Sequence, residues 1–132
     1  MTYSVFISST REDIELARDL ERRLKEVKVK VYPVEKSATL GTDILSKFKK
    51  DLHEANEVIV LLTGKSVNNP RVISEMGAAF GLNKRVTPVL VNVEEAELPK
   101  FITKNSVKFA ELPEYISKLK KRAEEEHSSA PA

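Results

Sequence analysis

One segment of the chain, residues 57–63, constrains the fold more than any other. It reads Glu-Val-Ile-Val-Leu-Leu-Thr and is the most apolar run in the sequence. A half-buried strand alternates apolar and polar residues, whereas an unbroken β-branched run of this length fits a strand buried on both faces. Strands of that kind lie in parallel sheets that helices cover on both sides. The run therefore predicts an α/β fold with residues 57–63 in a central strand.

Strand-like and helix-like segments alternate along the rest of the chain. We predict strands over residues 3–8, 29–33, 57–63, 85–91 and 108–110, and helices over residues 14–27, 42–55, 71–82 and from Pro113 onward. This alternation is typical of a flavodoxin-like three-layer sandwich, a five-stranded parallel sheet in the order 2-1-3-4-5 with helices on both faces. Lys28 and Lys30 indicate that the second strand lies at an edge. Residues 1–122 are expected to form one domain, and residues 123–132 a frayed helix end and disordered tail.

Composition narrows the range of functions. The 132 residues include 22 Lys and Arg against 20 Asp and Glu, a net charge of +2 that argues against a dedicated nucleic-acid binder. The chain has no cysteine and only two histidines, which excludes a disulfide scaffold and disfavours a metal site. No apolar stretch reaches the roughly 20 residues of a membrane helix, and no signal peptide precedes the first strand. We expect a cytoplasmic protein without a metal, nucleic-acid or membrane partner.

The predicted sheet order places a crevice between the first and third strands, where ligands of open parallel sheets bind. Residues 8–11 would line one side and residues 63–70 the other, and both segments are rich in hydroxyl groups. The chain lacks the G-x-G-x-x-G pattern of dinucleotide-binding folds. Gly64-Lys65-Ser66 imitates the end of a phosphate-binding loop, but Ile59 stands where the upstream glycine belongs.

Glu75 is the candidate functional residue of the helix that follows this crevice. At about 100° per residue, Val72, Met76, Ala79 and Phe80 form one apolar arc, and Glu75 lies just outside its edge. In the first turns of a helix the dipole favours a carboxylate. Spacing alone is equally compatible with a solvated or helix-capping glutamate.

Three segments together resemble the Toll/interleukin-1 receptor (TIR) domain family, particularly its prokaryotic members. Val5-Phe6-Ile7-Ser8-Ser9 is similar to the first strand and loop of that family. Ser66, Pro70 and Glu75-Met76-Gly77-Ala78-Ala79 are similar to its loop-helix signature, and residues 35–41 occupy the place of its mobile loop. The resemblance spans about residues 3–120.

This resemblance implies an activity and a set of site residues. Many bacterial, archaeal and plant members cleave NAD⁺ at the nicotinamide–ribose bond, some cyclise the product, and their essential glutamate matches Glu75. NAD⁺ is then the substrate and no further cofactor is implied. The expected substrate-binding residues are Ser8, Ser9, Thr10, Arg11, Lys36, Ser37, Ser66 and Arg71. Homotypic assembly with other TIR domains through residues 34–41 is expected to activate the enzyme.

Two departures from the family pattern leave other functions open. Arg71 stands where many members carry a tryptophan, and the first loop lacks the aromatic residue often found after the serine. Arg11 and Arg71 are either phosphate contacts or solvated surface residues. One alternative is a non-catalytic TIR interaction module. A less favoured one is a nucleoside deoxyribosyltransferase-like enzyme, whose Glu-x-Gly-x-Ala segment is similar to residues 75–79 but which usually has an acidic residue after the third strand.

Overall fold

A computed structural model describes residues 3–32, 50–98, 100 and 105–129, with side chains to residue 125. Its centre is a single five-stranded sheet in the order β2-β1-β3-β4-β5, in which every neighbouring pair is parallel. The strands are β1 (Ser4–Ser8), β2 (Lys30–Val31), β3 (Glu57–Thr63), β4 (Arg85–Val91) and β5 (Val107–Lys108). The predicted flavodoxin-like order is confirmed.

Three helices with described ends flank the sheet, namely α1 (Ile14–Glu26), α2 (Pro70–Gly81) and α3 (Leu112–Ser129). Residues 50–54 are also helical, and short 3₁₀ turns cover Arg11–Asp13, Glu95–Glu97 and Phe109–Glu111. The predicted helix 42–55 thus ends one residue early, and its residues 42–49 and the predicted loop 34–41 lie outside the described residues. So do residues 130–132, and the frayed tail therefore stays a prediction.

Two apolar layers hold the helices against the sheet. On one face, Val5, Ile7, Ile59 and Leu61 pack with α1 and α3. On the other, Phe6, Val58, Val60 and Leu62 pack with α2 and Leu52. Alternate residues of β3 thus enter opposite layers, because successive side chains of a strand point to opposite faces. Val58 to Leu62 are all at most 2% exposed, so β3 is buried on both faces as predicted.

One side chain and one strand boundary differ from what the sequence pattern predicts. Val72, Met76 and Ala79 are fully buried as the predicted apolar arc requires, but Phe80 is 53% exposed. Only the centre of the arc meets the sheet, and Phe80 lies on its flank. The predicted second strand starts at residue 29, whereas β2 begins at Lys30, and Lys28 has a φ of 63° in the turn after α1. The edge position of β2 is confirmed.

Candidate active site

The candidate site forms where the strand order reverses. From β1 the chain crosses to β2 on one side and then returns to β3 on the other, so that the carboxyl ends of β1 and β3 lie side by side. Ser8 pairs in register with Val60, and β3 continues to Thr63. The loops that leave two adjacent parallel strands in opposite directions leave a crevice between them. The predicted reversal of strand order between β1 and β3 is therefore confirmed, while its use as a ligand site stays a prediction.

Glu75 reaches this crevice from α2. The helix starts sharply because Asn69 accepts hydrogen bonds from the backbone N–H groups of Arg71 (3.0 Å) and Val72 (3.1 Å), with Pro70 as the first helical residue. Glu75 follows in the second turn, and its side chain is only 12% exposed. Its Oε1 accepts a hydrogen bond of 2.5 Å from the hydroxyl of Ser8. The last residue of β1 thus fixes one carboxylate oxygen of α2.

Burial raises the pKa of Glu75 above the ordinary value of 4.5. The hydrogen bond from Ser8 and the positive charge of Arg71 both act in the opposite direction, but they do not outweigh the loss of hydration. A carboxylate in such surroundings is poorly solvated, and its attraction for a nearby positive charge is less screened than in water. This is the electrostatic property that a group stabilising a cation requires.

Arg71 lies beside Glu75 and joins the two sides of the crevice. Its Nη2 donates to the backbone carbonyl of Ser9 at 2.7 Å, while its Nη1 is 3.9 Å from Oε2 of Glu75. The Arg71 side chain is 46% exposed. In this arrangement the guanidinium bridges the loop after β1 to the first turns of α2. Its distance from Glu75 is within the range of an ion pair but is too long for a hydrogen bond.

A second polar cluster supports the two loops. The carboxylate of Asp13 accepts hydrogen bonds from Thr10 Oγ1 at 3.0 Å and from Thr63 Oγ1 at 3.1 Å, and Asp13 is 5% exposed. Ser66 is fully buried, and its Oγ accepts from the backbone N–H of Thr63 at 2.8 Å. Thr10 precedes the 3₁₀ turn, but its side chain makes no cap bond to the backbone and donates to the Asp13 carboxylate instead.

The expected site residues therefore fall into separate groups. Four of them form a chain of contacts that runs from Ser8 to Glu75, from Glu75 to Arg71 and from Arg71 to the backbone carbonyl of Ser9. Thr10 and Ser66 are buried, and their hydroxyls are engaged within the loops. Arg11 is exposed on the 3₁₀ turn. Lys36 and Ser37 lie outside the described residues, and the ligand-binding role of all eight stays a prediction.

Sequence reasoning missed the supporting residues Asp13 and Thr63. It also missed a buried charge at the other end of the strands, where β3 begins. Glu57, the first residue of β3, is fully buried. Its carboxylate accepts from the hydroxyls of Tyr3, Thr87 and Tyr115 and from Arg122, whose Nη1 is 2.7 Å away. Burial and the adjacent Glu57 charge raise the pKa of Tyr3 and of Tyr115. A lone carboxylate opening an otherwise apolar run was the available signal.

Comparison with known proteins decides the family. A sequence profile described as TIR domain matches residues 5–123, which is nearly the whole chain. The chain belongs to the TIR domain family. No curated protein sequence matches it significantly. Within the part of this TIR domain that the structure describes, no helix is both long and apolar enough to cross a membrane, and no group of three or more His, Asp or Glu side chains is arranged to hold a metal ion.

Several solved structures share the fold of this TIR domain. The TIR domain of the Toll-related receptor TRR-2 from Hydra magnipapillata superposes with a TM-score of 0.74 at 20% identity, over 93% of this chain and 99% of that one. A TIR-STING receptor from C. gigas in complex with 2′,3′-cGAMP gives 0.71 at 19%, over 86% and 38%. A prokaryotic SEFIR domain gives 0.64 at 19%, over 91% of each chain.

The TIR domains of the activated Roq1 resistosome, which directly recognises the pathogen effector XopQ, give a TM-score of 0.61 at 21% identity. That match covers 72% of this chain and 61% of the Roq1 chain, so this TIR domain corresponds to only part of that larger protein. At these identities the likeness concerns the fold alone.

Proposed function

We propose that this TIR domain is an NAD⁺ glycohydrolase in which Glu75 is the catalytic carboxylate. The observation that carries the proposal is the position of Glu75. Its carboxylate lies at the strand-order reversal, is 12% exposed and has one oxygen fixed by Ser8. A buried carboxylate oriented by a rigid strand end is preorganised to act on charge that develops beside it.

The reaction demands little beyond such a group. In NAD⁺ the nicotinamide is a cationic leaving group, so the bond to the ribose breaks with its electron pair passing to the pyridinium nitrogen, which becomes neutral. Positive charge then grows at the anomeric carbon and ring oxygen of the ribose. Glu75 would hold the ribose hydroxyls and oppose that charge, which stabilises the transition state more than the ground state. Attack by water gives ADP-ribose, and attack by a nucleophilic atom of the same molecule gives a cyclic isomer.

The surrounding residues would position the substrate. Ser9 and Arg11 are on the loop that borders Glu75, and Arg71 has a planar guanidinium suited to a phosphate oxygen. Thr10 and Ser66 would act through loop shape, because their hydroxyls are engaged in the Asp13 cluster and the Thr63 turn. Lys36 and Ser37 would complete the site from the loop that the family uses for assembly, with other TIR domains as partners. NAD⁺ serves as the substrate, and no other cofactor takes part.

One observation favours a second function, a non-catalytic TIR interaction module. Ser8 is 2% exposed, and the Arg71 guanidinium that bonds the Ser9 carbonyl lies beside Glu75, so this arrangement restricts the approach of a ribose to the carboxylate. If assembly does not displace Arg71, the domain associates without turnover. A deoxyribosyltransferase-like activity is a weaker alternative, because Thr63-Gly64-Lys65 supplies no carboxylate after β3.

The three functions are separated by the base that is released. Protein clustered on a solid support is incubated with NAD⁺ and, separately, with deoxynucleosides, and nicotinamide or free nucleobase is measured by chromatography. Release of nicotinamide alone supports the proposal. Release of nucleobase from deoxynucleosides supports the transferase. Absence of both from clustered protein that remains folded and associated supports the interaction module and contradicts the proposed activity.

A further inference from the structure

A basic cavity lies at the amino-terminal ends of the strands, away from Glu75. The cavity has a volume of about 240 Å³ and lies between the start of β4, residues 105–107 and one face of α3. Among the described residues, its charged lining side chains are Arg85, Lys118 and Arg122, with no carboxylate. We propose that this cavity binds a small soluble ligand that carries a phosphate monoester group.

The fold brings these cations together from distant parts of the sequence. Arg85 and Thr87 lie two residues apart in β4, so their side chains share the face that α3 covers. Tyr115, Lys118 and Arg122 recur at intervals of three and four residues, which places them along one side of a helix. The side of α3 that anchors the helix to Glu57 is therefore also a wall of the cavity.

The charges in this cavity are only partly neutralised. Arg122 forms an ion pair with the buried Glu57. Among the described residues it has no second carboxylate within ion-pair distance. Arg85 and Lys118 have no carboxylate within ion-pair distance in the part of the chain that the structure describes. Three cations set against Glu57 and against Glu95, which Ser106 contacts, leave an excess charge of +1, so the cavity favours an anionic group such as a phosphate.

The hydrogen-bonding groups point to the same class of ligand. The hydroxyls of Thr87 and Tyr115 donate to Glu57, and that of Ser106 donates to Glu95 at 2.7 Å. The donors left for a ligand are Arg85, Lys118, Asn105 and the further N–H groups of Arg122. These donors match an acceptor-only anion. The volume is below the roughly 300–1,000 Å³ of drug-sized pockets, which favours a sugar phosphate over a dinucleotide.

This cavity is separate from the candidate active site. Glu57 and Thr63 are at opposite ends of β3. A strand rises about 3.3 Å per residue, so the two ends of β3 are about 20 Å apart. A ligand in the basic cavity therefore contacts neither Ser8 nor Glu75. The proposal requires no catalytic activity from the domain.

The test is an NMR titration of the full-length ¹⁵N-labelled chain at about 0.15 M salt, where long-range charge effects are screened. The probes are ribose 5-phosphate and inorganic phosphate, and ribose is the uncharged control. We expect saturable shifts of the Thr87, Asn105 and Val107 amides with both phosphate probes and none with ribose. Lys118→Gln should weaken binding about tenfold, the loss of one charge-assisted contact.

Lys120→Gln is the matched control, because Lys120 is on the same helix, is exposed and does not line the cavity. It removes the same charge and should leave the affinity unchanged. Equal weakening by the two variants would overturn the proposal, because binding would then follow net charge. Absence of saturation with wild-type protein, or shifts centred on Ser9 and Arg71 in place of Thr87 and Asn105, would overturn it as well.

Discussion

The hydroxyl of Ser8 donates a 2.5 Å hydrogen bond to Oε1 of Glu75 and so ties the end of β1 to the second turn of α2. Ser8 is 2% exposed and its backbone is held in the sheet by pairing with Val60. The carboxylate is therefore positioned by a buried residue of the sheet. Both residues of this hydrogen bond belong to regular elements of the fold, so its effect on Glu75 can be tested by single substitutions.

Glu75→Gln should not destabilise the fold at neutral pH. Because burial raises the pKa of Glu75, the stability contributed by this group is greatest below pH 4.5 and declines as the pH rises through its pKa in the folded protein. The glutamine keeps the acceptor for Ser8 and carries no charge. We expect its urea midpoint at pH 7 to equal or exceed that of the wild type, with the difference vanishing toward pH 4. A large loss of stability would mean that the ionised carboxylate holds the structure together.

Ser8→Ala should make Glu75 harder to ionise. The hydrogen bond from Ser8 lowers the pKa of Glu75, and bonds to charged groups are worth about 1.5–3 kcal/mol. The acid limb of the pH–activity profile should therefore move to higher pH. Ser4→Ala is the control, because it removes a buried serine hydroxyl at the other end of β1. An unchanged acid limb in Ser8→Ala, or an equal shift in both variants, would contradict this role.

Arg71→Gln should have a smaller, salt-sensitive effect on the same profile. Arg71 lowers the pKa of Glu75 less than Ser8 does, since their closest atoms are 3.9 Å apart and the arginine is half-exposed. Exposed pairs contribute about 0.2–1 kcal/mol and weaken with salt. The shift should therefore be seen at low salt and fade as salt is added. Lys65→Gln, an exposed cation in the loop after β3, should leave the profile unchanged. A larger shift in Arg71→Gln than in Ser8→Ala would reverse the proposed order.

Sequence patterns predicted the sheet because its determinants are local. The apolar run 57–63 identifies a central strand by itself, and its predicted ends agree with β3. Helical spacing predicts Glu75 at the edge of the buried arc of α2, which agrees with its 12% exposure, while its catalytic role stays a prediction. Its bond to Ser8 joins residues 67 positions apart and is not encoded in either segment alone. Phe80 was predicted to be part of the apolar face of α2, yet it is 53% exposed. A helical arc predicts which residues share a face, but it does not predict how much of that face packs on the sheet.

Local sequence patterns could not predict the cluster of side chains around Glu57, because its members are far apart in the sequence. Its partners Tyr3, Thr87, Tyr115 and Arg122 are 30 to 65 positions away in sequence. Each of them is an ordinary residue in its own element. Only the packing of α3 on the sheet shows that one buried carboxylate has a complete set of donors.

Arg122→Met should destabilise the domain by about 3–5 kcal/mol, because it leaves the fully buried Glu57 without its cation. Lys121→Met, at an exposed neighbouring position, should change the free energy of unfolding by less than about 0.5 kcal/mol. The double variant Glu57→Gln/Arg122→Met should lose less than the sum of the two single losses. Chemical denaturation at neutral pH measures the wild type, these variants and the single variant Glu57→Gln. Additive losses would show that the two side chains act independently.

The rate of nicotinamide release by clustered wild-type and Glu75→Gln protein tests the central claim most directly. Loss of the carboxylate charge should lower turnover about 100- to 1000-fold, the size of effect seen when one transition-state electrostatic contact is removed. Glu114→Gln, which neutralises an exposed glutamate on α3, should retain the wild-type rate. Wild-type turnover that survives in Glu75→Gln, with nicotinamide released at a comparable rate, would contradict the assignment of Glu75 as the catalytic carboxylate.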